Sequence, residues 1–402
     1  MSEAPPRPGL AARPAAERPV LLCLSHLRWD FVFQRPQHLL TRFARDHEVI
    51  FLEEPMEHDG MVPRLELSER PAEGGSSVTV AVPLMPRGLA RETVARAQRF
   101  LLEGLVERFK GRRMVAWFYT PMALAFADEL EADVTVYDCM DELSAFRGAP
   151  PEMVELERQL LRRADLVFTG GRSLYEAKQG KHPRVYCFPS SIDTKHYHQA
   201  RQHPPCPAEL ERMPRPRLGF FGVIDERMDA GLVGRMAELR PGWQFVMIGP
   251  VVKVDPADLP RRDNIHWLGG RQYAQLPGYL GHLDIGFMPF ALNESTRFIS
   301  PTKTPEFLAA GLPVVSTPVT DVVRDYGDPG YVEIARSAEE MVAATERLLA
   351  MPREAWLQRV DRKLAEGSWD RTQERMAALI REAQQRSGAG ALSGAEIAAG
   401  PA

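Results

Sequence analysis

The stretch "SPTKTPEFLAAGLPVVSTP", residues 300–318, sets a lysine and a glutamate three positions apart at the mouth of a short helical run, just before a β-branched strand. Ser300 and Thr304 each precede a proline, which disfavours helical backbone at both. The pattern therefore predicts a helix that starts at Pro305, with Thr304 as N-cap and Gly311 ending it. Free amides at such a terminus attract an anion, and Lys303 adds a full positive charge, a combination suited to a pyrophosphate. Glu306 would repel that group, so it is placed instead to accept hydrogen bonds from ribose hydroxyls. The chemistry implied is recognition of a nucleoside diphosphate. A glutamate that only complements the helix dipole, beside a solvated lysine, is the plain alternative. The small residues of "LAAG" allow close backbone approach and favour the first reading.

Two other clusters carry polar side chains at strand ends. In "WDFVFQRPQHLL", Arg35, Gln37 and His38 follow the first strand at a helix start, where they suit an acceptor or a phosphate, or else are satisfied by neighbours. Trp29, Phe31 and Phe33 shape that loop, for sugar stacking or for core packing. In "YDCMDE", Asp138 is a candidate base or hydroxyl anchor, whereas Asp141 reads rather as a cap. No Asp-x-Asp pair accompanies them; no metal and no cofactor are expected.

Positioning these groups requires strands that end in one place. Runs at 19–25, 47–55, 114–120, 134–140, 164–170 and 184–190 are continuous and apolar, with helical pattern between most of them, as in strands buried on both faces. A proline- and charge-rich segment, 198–217, reads as a linker. Apolar runs resume at 218–224, 243–250, 265–270, 283–290 and 313–317, and a long helical pattern over 338–386 closes the chain. The prediction is an α/β protein of two Rossmann-like, doubly wound domains, with ligand in the cleft between them. The domains are expected at 19–197 and 218–350, followed by C-terminal helices over 351–386, with tails at 1–18 and 387–402.

Composition narrows the function classes. The chain has 402 residues, 44% of them hydrophobic and 26% charged, enough for two cores. A net charge of −4 argues against a nucleic-acid partner. Four cysteines, Cys23, Cys139, Cys187 and Cys206, lie far apart, which suits a reducing cytoplasm better than a zinc site or disulfide framework. No run reaches the length of a membrane span. The arginine-rich segment 87–113 is either an ordinary solvated helix face or a face for anionic lipid at the inner membrane surface. No G-x-G-x-x-G follows a strand and no P-loop lysine motif occurs, which argues against a dinucleotide dehydrogenase or a P-loop enzyme.

"PEFLAAGLPVVST" resembles the second half of the E-x7-E and G-x-P-V-V motif of the retaining GT-B glycosyltransferases, nucleotide-sugar enzymes with two Rossmann-like domains. The likeness extends over nearly the whole ordered chain, through "HLRWDFVFQRPQHLLTRFA", "ADLVFTGGRSLYEAK", "FPSSIDTKHY" and "FFGVIDERMD". The variant "S-P-x-K-x-x-E-[FY]-L-A-A-G-x-P-V-V" is similar to a bacterial subgroup of polysaccharide and teichuronic-acid-type synthesis. The resemblance implies that Glu306 holds the donor ribose and that Gly222 belongs to the loop opening the donor domain. Thr304 joins the donor site, and Arg227 is a diphosphate ligand second to Lys303. It also implies metal-independent transfer, with retention, from a nucleotide-diphosphate sugar to a saccharide or lipid-linked acceptor. The chain departs from the motif at Phe298, where the family has its first glutamate. The alternatives are an epimerase-like enzyme on the same frame and a nucleotide-sugar-binding protein that has lost catalysis.

Overall fold

Apolar runs too short for helices and bounded by turn residues become parallel strands, and their neighbours close over both faces. In the first sheet β1 (Val20–Leu24), β2 (Glu48–Leu52), β6 (Met114–Phe118), β7 (Val134–Cys139), β8 (Leu166–Thr169) and β9 (Val185–Cys187) fulfil the expected strands. Three more, β3 (Met56–His58), β4 (Arg64–Pro71) and β5 (Ser77–Pro86), fall where no strand is expected. β4 and β5 pair antiparallel across a turn at Glu73–Gly75, and the sheet order is β3-β5-β2-β1-β6-β7-β8-β9 with β4 on β5. Alternating burial in β5, with Val78 and Val80 inside, is the signature of a half-covered strand.

The second sheet contains β10 (Arg217–Phe221), β11 (Gln244–Ile248), β12 (Ile265–Gly269), β13 (Ile285–Met288), β14 (Val314–Ser316) and β15 (Val332–Ile334). Its order is β12-β11-β10-β13-β14-β15, all parallel, so the chain reverses direction of winding at β10. A doubly wound sheet opens a ligand crevice at the carboxyl ends of its strands beside such a reversal.

This structure, a computed structural model, describes residues 18–398. Residues 1–17 of the expected N-terminal tail lie outside the described residues. The described residues form two compact units, one of residues 18–136, 163–165 and 380–398, the other of residues 137–162 and 166–379. The single helical pattern expected over 338–386 is three helices, Ala338–Ala350, Arg353–Leu364 and Trp369–Ala398, broken at Pro352 and around Gly367. The last continues past Ser387, where a tail is expected. The segment expected as a linker is built into the second unit: Leu210 is buried, and Arg201 pairs with both carboxylate oxygens of Asp361 at 2.9 and 3.0 Å.

No helix among the described residues is long and apolar enough to cross a membrane. Within 87–113, the Arg91–Glu107 helix exposes Phe100, but much of the basic excess is already neutralised. Arg99 pairs with Asp128 and Glu129, Lys110 with Glu107, and Arg112 with Glu48.

Candidate active site

The site is built on the carboxyl edge of the second sheet. Gly222 follows β10 and Gly249 follows β11, and their φ angles of +137° and +152° suit glycine. A Cβ on Gly249 would meet the Gly222 carbonyl oxygen at 1.7 Å, so the two turns pack backbone to backbone. A Cβ on Gly222 would stand 3.1 Å from Lys303 Cε, which puts this bare backbone directly beside the lysine.

The helix carrying Lys303 runs Lys303–Ala309 and begins two residues earlier than expected. Thr302 stands at the N-cap with no side-chain cap bond. Thr304 lies inside the first turn, fully buried, its hydroxyl directed 3.5 Å to Met288 Sδ. Thr304 is therefore a packing residue rather than a cap or a donor ligand. The pre-proline restriction is overridden because Pro305 sits in the first turn, where its missing N–H would have no helical acceptor. Gly311 ends the helix as expected: Leu312 N–H reaches the Phe307 carbonyl and Gly311 N–H that of Leu308, both at 3.0 Å.

Three contacts fix this helix on the sheet. Phe307 is fully buried against β13 at Gly286, where a Cβ would lie 2.7 Å from its ring, and it meets Phe221 edge-on at 4.9 Å. At the other end, the Arg201 guanidinium donates to the Ala309 and Leu308 carbonyls at 2.7 and 3.1 Å. Burying a phenylalanine of this kind contributes about 1.5–3 kcal/mol.

Lys303 Nζ donates to Thr302 Oγ1 at 2.9 Å and to Glu306 Oε2 at 3.1 Å, and lies 4.9 Å over the Phe221 ring. An ammonium has three donors, so one remains for an incoming oxygen. Glu306 is buried and has a second neighbour in Tyr197. Burial holds the Tyr197 phenol well above its ordinary range, and the adjacent Glu306 carboxylate raises it further, so Tyr197 stays a neutral donor. Nothing in the local sequence pointed to Tyr197, which belongs to a distant short helix.

Arg227 is not free to grip a phosphate. Its guanidinium is clasped by Asp225, with Nε at 3.0 and 3.1 Å and Nη2 at 2.7 Å, and it lies 5.4 Å over the Phe146 ring. Lys253 sits over the same ring at 5.2 Å. The expectation of Arg227 as a diphosphate ligand is corrected accordingly: its charge is already compensated two residues away. Phe146 and Asp141, whose charge acts on Arg227, reach this loop from the 140–147 segment. Asp138, expected as a base or hydroxyl anchor at a strand end, is wholly buried within β7.

The acceptor-side residues of the first unit are also buried. Arg35 and Gln37 are 1% exposed and His38 4%. The Gln37 amide donates to the Trp29 carbonyl at 2.6 Å and its oxygen accepts from Gln34 N at 3.0 Å, so it holds the loop onto the Arg35–Phe43 helix. The His38 ring packs edge-on against Phe33 at 4.7 Å. Gln37 and His38 thus help to shape the loop. Phe298 is half-buried with the Arg297 guanidinium over its ring at 5.1 Å, and Glu294 is exposed.

The comparisons agree with this frame. The architecture is the GT-B fold: the chain superposes on sucrose-phosphate synthase from Thermosynechococcus elongatus with a TM-score of 0.67 and 12% identity, covering 91% of this chain and 99% of that one. It also superposes on an alpha,alpha-trehalose-phosphate synthase (UDP-forming) from Burkholderia xenovorans, with a TM-score of 0.63, 14% identity, and 91% and 100% coverage. Residues 215–351 match the family described as Glycosyl transferases group 1, a span that contains β10–β15, Gly222, Lys303 and Glu306. Over 259 residues the chain is 27% identical to a Bacillus subtilis (strain 168) protein named for teichuronic acid biosynthesis, the glycosyltransferase TuaH. That match covers 60% of this chain and 64% of the relative, under two-thirds of its length. The chain thus has the GT-B fold, and the part of it that carries the second sheet is similar to the group 1 glycosyl transferases.

Proposed function

We propose that the protein transfers a sugar from a nucleotide-diphosphate sugar to a saccharide or lipid-linked acceptor, with retention and without a metal, in the synthesis of a cell-surface polysaccharide. The observation that carries this reading is the Lys303–Glu306 pair beside the bare backbone of Gly222 and Gly249. Backbone without side chains lets a diphosphate approach closely, and the third Lys303 donor meets the charge that grows on it as the glycosidic bond breaks. Glu306, buried and oriented by Lys303 and Tyr197, accepts from ribose hydroxyls. Retention and the polysaccharide setting come from the sequence resemblance and from the TuaH relative.

Binding tests the donor half of the proposal. Glu306→Ala is expected to weaken nucleoside-diphosphate affinity by about 1–3 kcal/mol, the scale of hydrogen bonds to charged groups. Calorimetric titration of the folded variant measures this, and unchanged affinity removes the ribose assignment. Chelation tests the leaving-group half: transfer is expected to continue in EDTA and to give product with the donor's anomeric configuration, read by NMR. Loss of transfer on chelation, restored by a divalent ion, would overturn the metal-independent reading.

Phe298 favours a second reading, a nucleotide-sugar-binding protein without transfer, because an arginine-stacked phenyl ring offers no carboxylate to sugar hydroxyls. Tight binding of a nucleotide sugar with no transfer to any saccharide acceptor selects it.

A further inference from the structure

β4 (Arg64–Pro71) is the outermost strand of the first sheet. Among the described residues β5 is its one strand partner, and β2 and β3 line the other side of β5. Its register with β5 is unbroken from Arg64 to Pro71, so no bulge interrupts the pairing. The Ala72 N–H donates to the Ser76 carbonyl at 2.8 Å, which makes Ala72 and Ser76 a hydrogen-bonded pair. Antiparallel ladders alternate, so the backbone groups of Arg64, Glu66, Ser68 and Arg70 turn toward β5. Those of Leu65, Leu67, Glu69 and Pro71 turn outward, where no described strand meets them. Within that row the Glu69 carbonyl accepts from the Arg70 guanidinium at 3.1 Å and keeps a second lone pair.

An outward row of this kind is a template for another strand, and sheets guard it with bulges, prolines or charges. Pro71 stands at the end of β4 and removes only the last N–H. The charges do not exclude an incoming copy of the same strand; they select its register. Two copies related by a two-fold axis pair about one residue that faces itself. Pairing about Glu66 or Glu69 sets that carboxylate against its own copy, and pairing about Leu67 sets Arg64 against Arg70. Pairing about Ser68 gives a long overlap with no like charges opposite: Glu66 faces the partner's Arg70, and Leu67 faces the partner's Glu69. Leu65, Leu67 and Glu69 then meet outward backbone groups of the second copy, as hydrogen bonding requires. Arg70 has donors to spare for the new contact, because Asp30 and the Glu69 carbonyl engage only three of its five. The same register carries Met61 and Val62, 90% and 70% exposed just before β4, toward the second copy's turn at Glu73–Gly75.

We propose that the protein forms a two-fold dimer by antiparallel pairing of β4 with β4 of a second copy, centred on Ser68, so that the first sheet continues through both. Each copy contributes the same edge, so assembly stops at two. The pairing does not depend on the proposed transfer. The test measures the mass of the full-length chain by analytical ultracentrifugation across micromolar concentrations, where a dimer is expected. Leu67→Pro deletes an N–H that faces away from β5, so it is expected to keep its far-UV circular dichroism and cooperative melt while sedimenting as a monomer. Glu66→Lys, an exposed substitution, sets like charges against each other at two places and is expected to weaken the dimer at least about tenfold. Residues facing across a non-hydrogen-bonded pair have Cα atoms about 4.5 Å apart, within disulfide range. Ser68→Cys is therefore expected to form an interchain disulfide under mild oxidation, and Leu67→Cys and the unmodified chain to form far less. A monomer at every concentration, or a dimer that survives both Leu67→Pro and Glu66→Lys, overturns the pairing. A dimer that links through Leu67→Cys and not through Ser68→Cys overturns the register.

Discussion

Lys303→Met is expected to lower turnover by about 2–4 kcal/mol in the transition state, or roughly 30- to 1,000-fold, while donor binding weakens far less. The substitution keeps most of the stem while deleting the charge, and with it the ammonium's place over Phe221. In the ground state the diphosphate oxygens share their charge with the sugar bond and are partly held by backbone amides. As that bond breaks, the charge localises on the departing oxygen, where an ammonium donor is worth most. Steady-state kinetics and a direct binding titration on the same variant separate the two quantities. A lysine serving only as the partner of Glu306 predicts a different pattern: turnover and binding would fall together, because Glu306 would lose its orientation and the ribose its anchor. Lys303→Arg is a second probe. The guanidinium keeps the charge but is broader than an ammonium and presents its donors in a planar fork, so full rescue is not expected. A near-normal rate in Lys303→Met would place the leaving-group cation elsewhere.

The adjacency of Lys303 and Glu306 was legible in the sequence because residues three apart on a helix share a face whatever the rest of the fold does. β10, β11 and β13 were legible for a similar reason, since a continuous apolar run can be buried only between two layers. What the pattern did not reveal depends on contacts between distant residues. β4 and β5 escaped because their alternation marks half-covered strands, whereas the expected strands were continuous runs. Arg227 looked available because its commitment to Asp225 is set by the turn of the 222–229 loop and not by spacing. Arg35, Gln37 and His38 looked exposed because polar residues at a helix start usually are. The preceding loop folds over them instead, and the Trp29 carbonyl takes the Gln37 amide. The orientation of Glu306 by Tyr197, and the 140–147 segment reaching Arg227, join parts of the chain that no local motif connects.

That same segment depends on a buried charge, and the second large effect is expected there. Lys178 is fully buried, with Nζ 2.6 Å from Glu157 and 2.7 Å from Glu142, and Tyr137 donates to Glu157 at 2.9 Å. Burial pulls the ammonium's pKa down, but Cys139, Glu157 and Glu142 more than offset this and leave it above its ordinary range. A basic group whose folded pKa is raised contributes its full stability below the unfolded value, so at neutral pH the contribution is complete and is lost only in strong alkali. Burial also pushes the Cys139 thiol up to about 12, which keeps a third negative charge out of the cluster. Lys178→Met leaves two carboxylates facing each other in a low-dielectric pocket, and the expected cost is about 3–5 kcal/mol in urea unfolding. The triple variant Lys178→Met, Glu142→Gln, Glu157→Gln is expected to recover much of that loss, because no uncompensated charge remains. The two outcomes distinguish a strong lysine from stranded glutamates: a triple variant as unstable as the single one would show that the ion cluster itself holds the fold. Glu142 anchors the segment that brings Phe146 beneath Arg227 and Lys253. A single-variant cost below about 1 kcal/mol would mean that the carboxylates find water or protons without the lysine, and the cluster would then have no part in positioning Phe146.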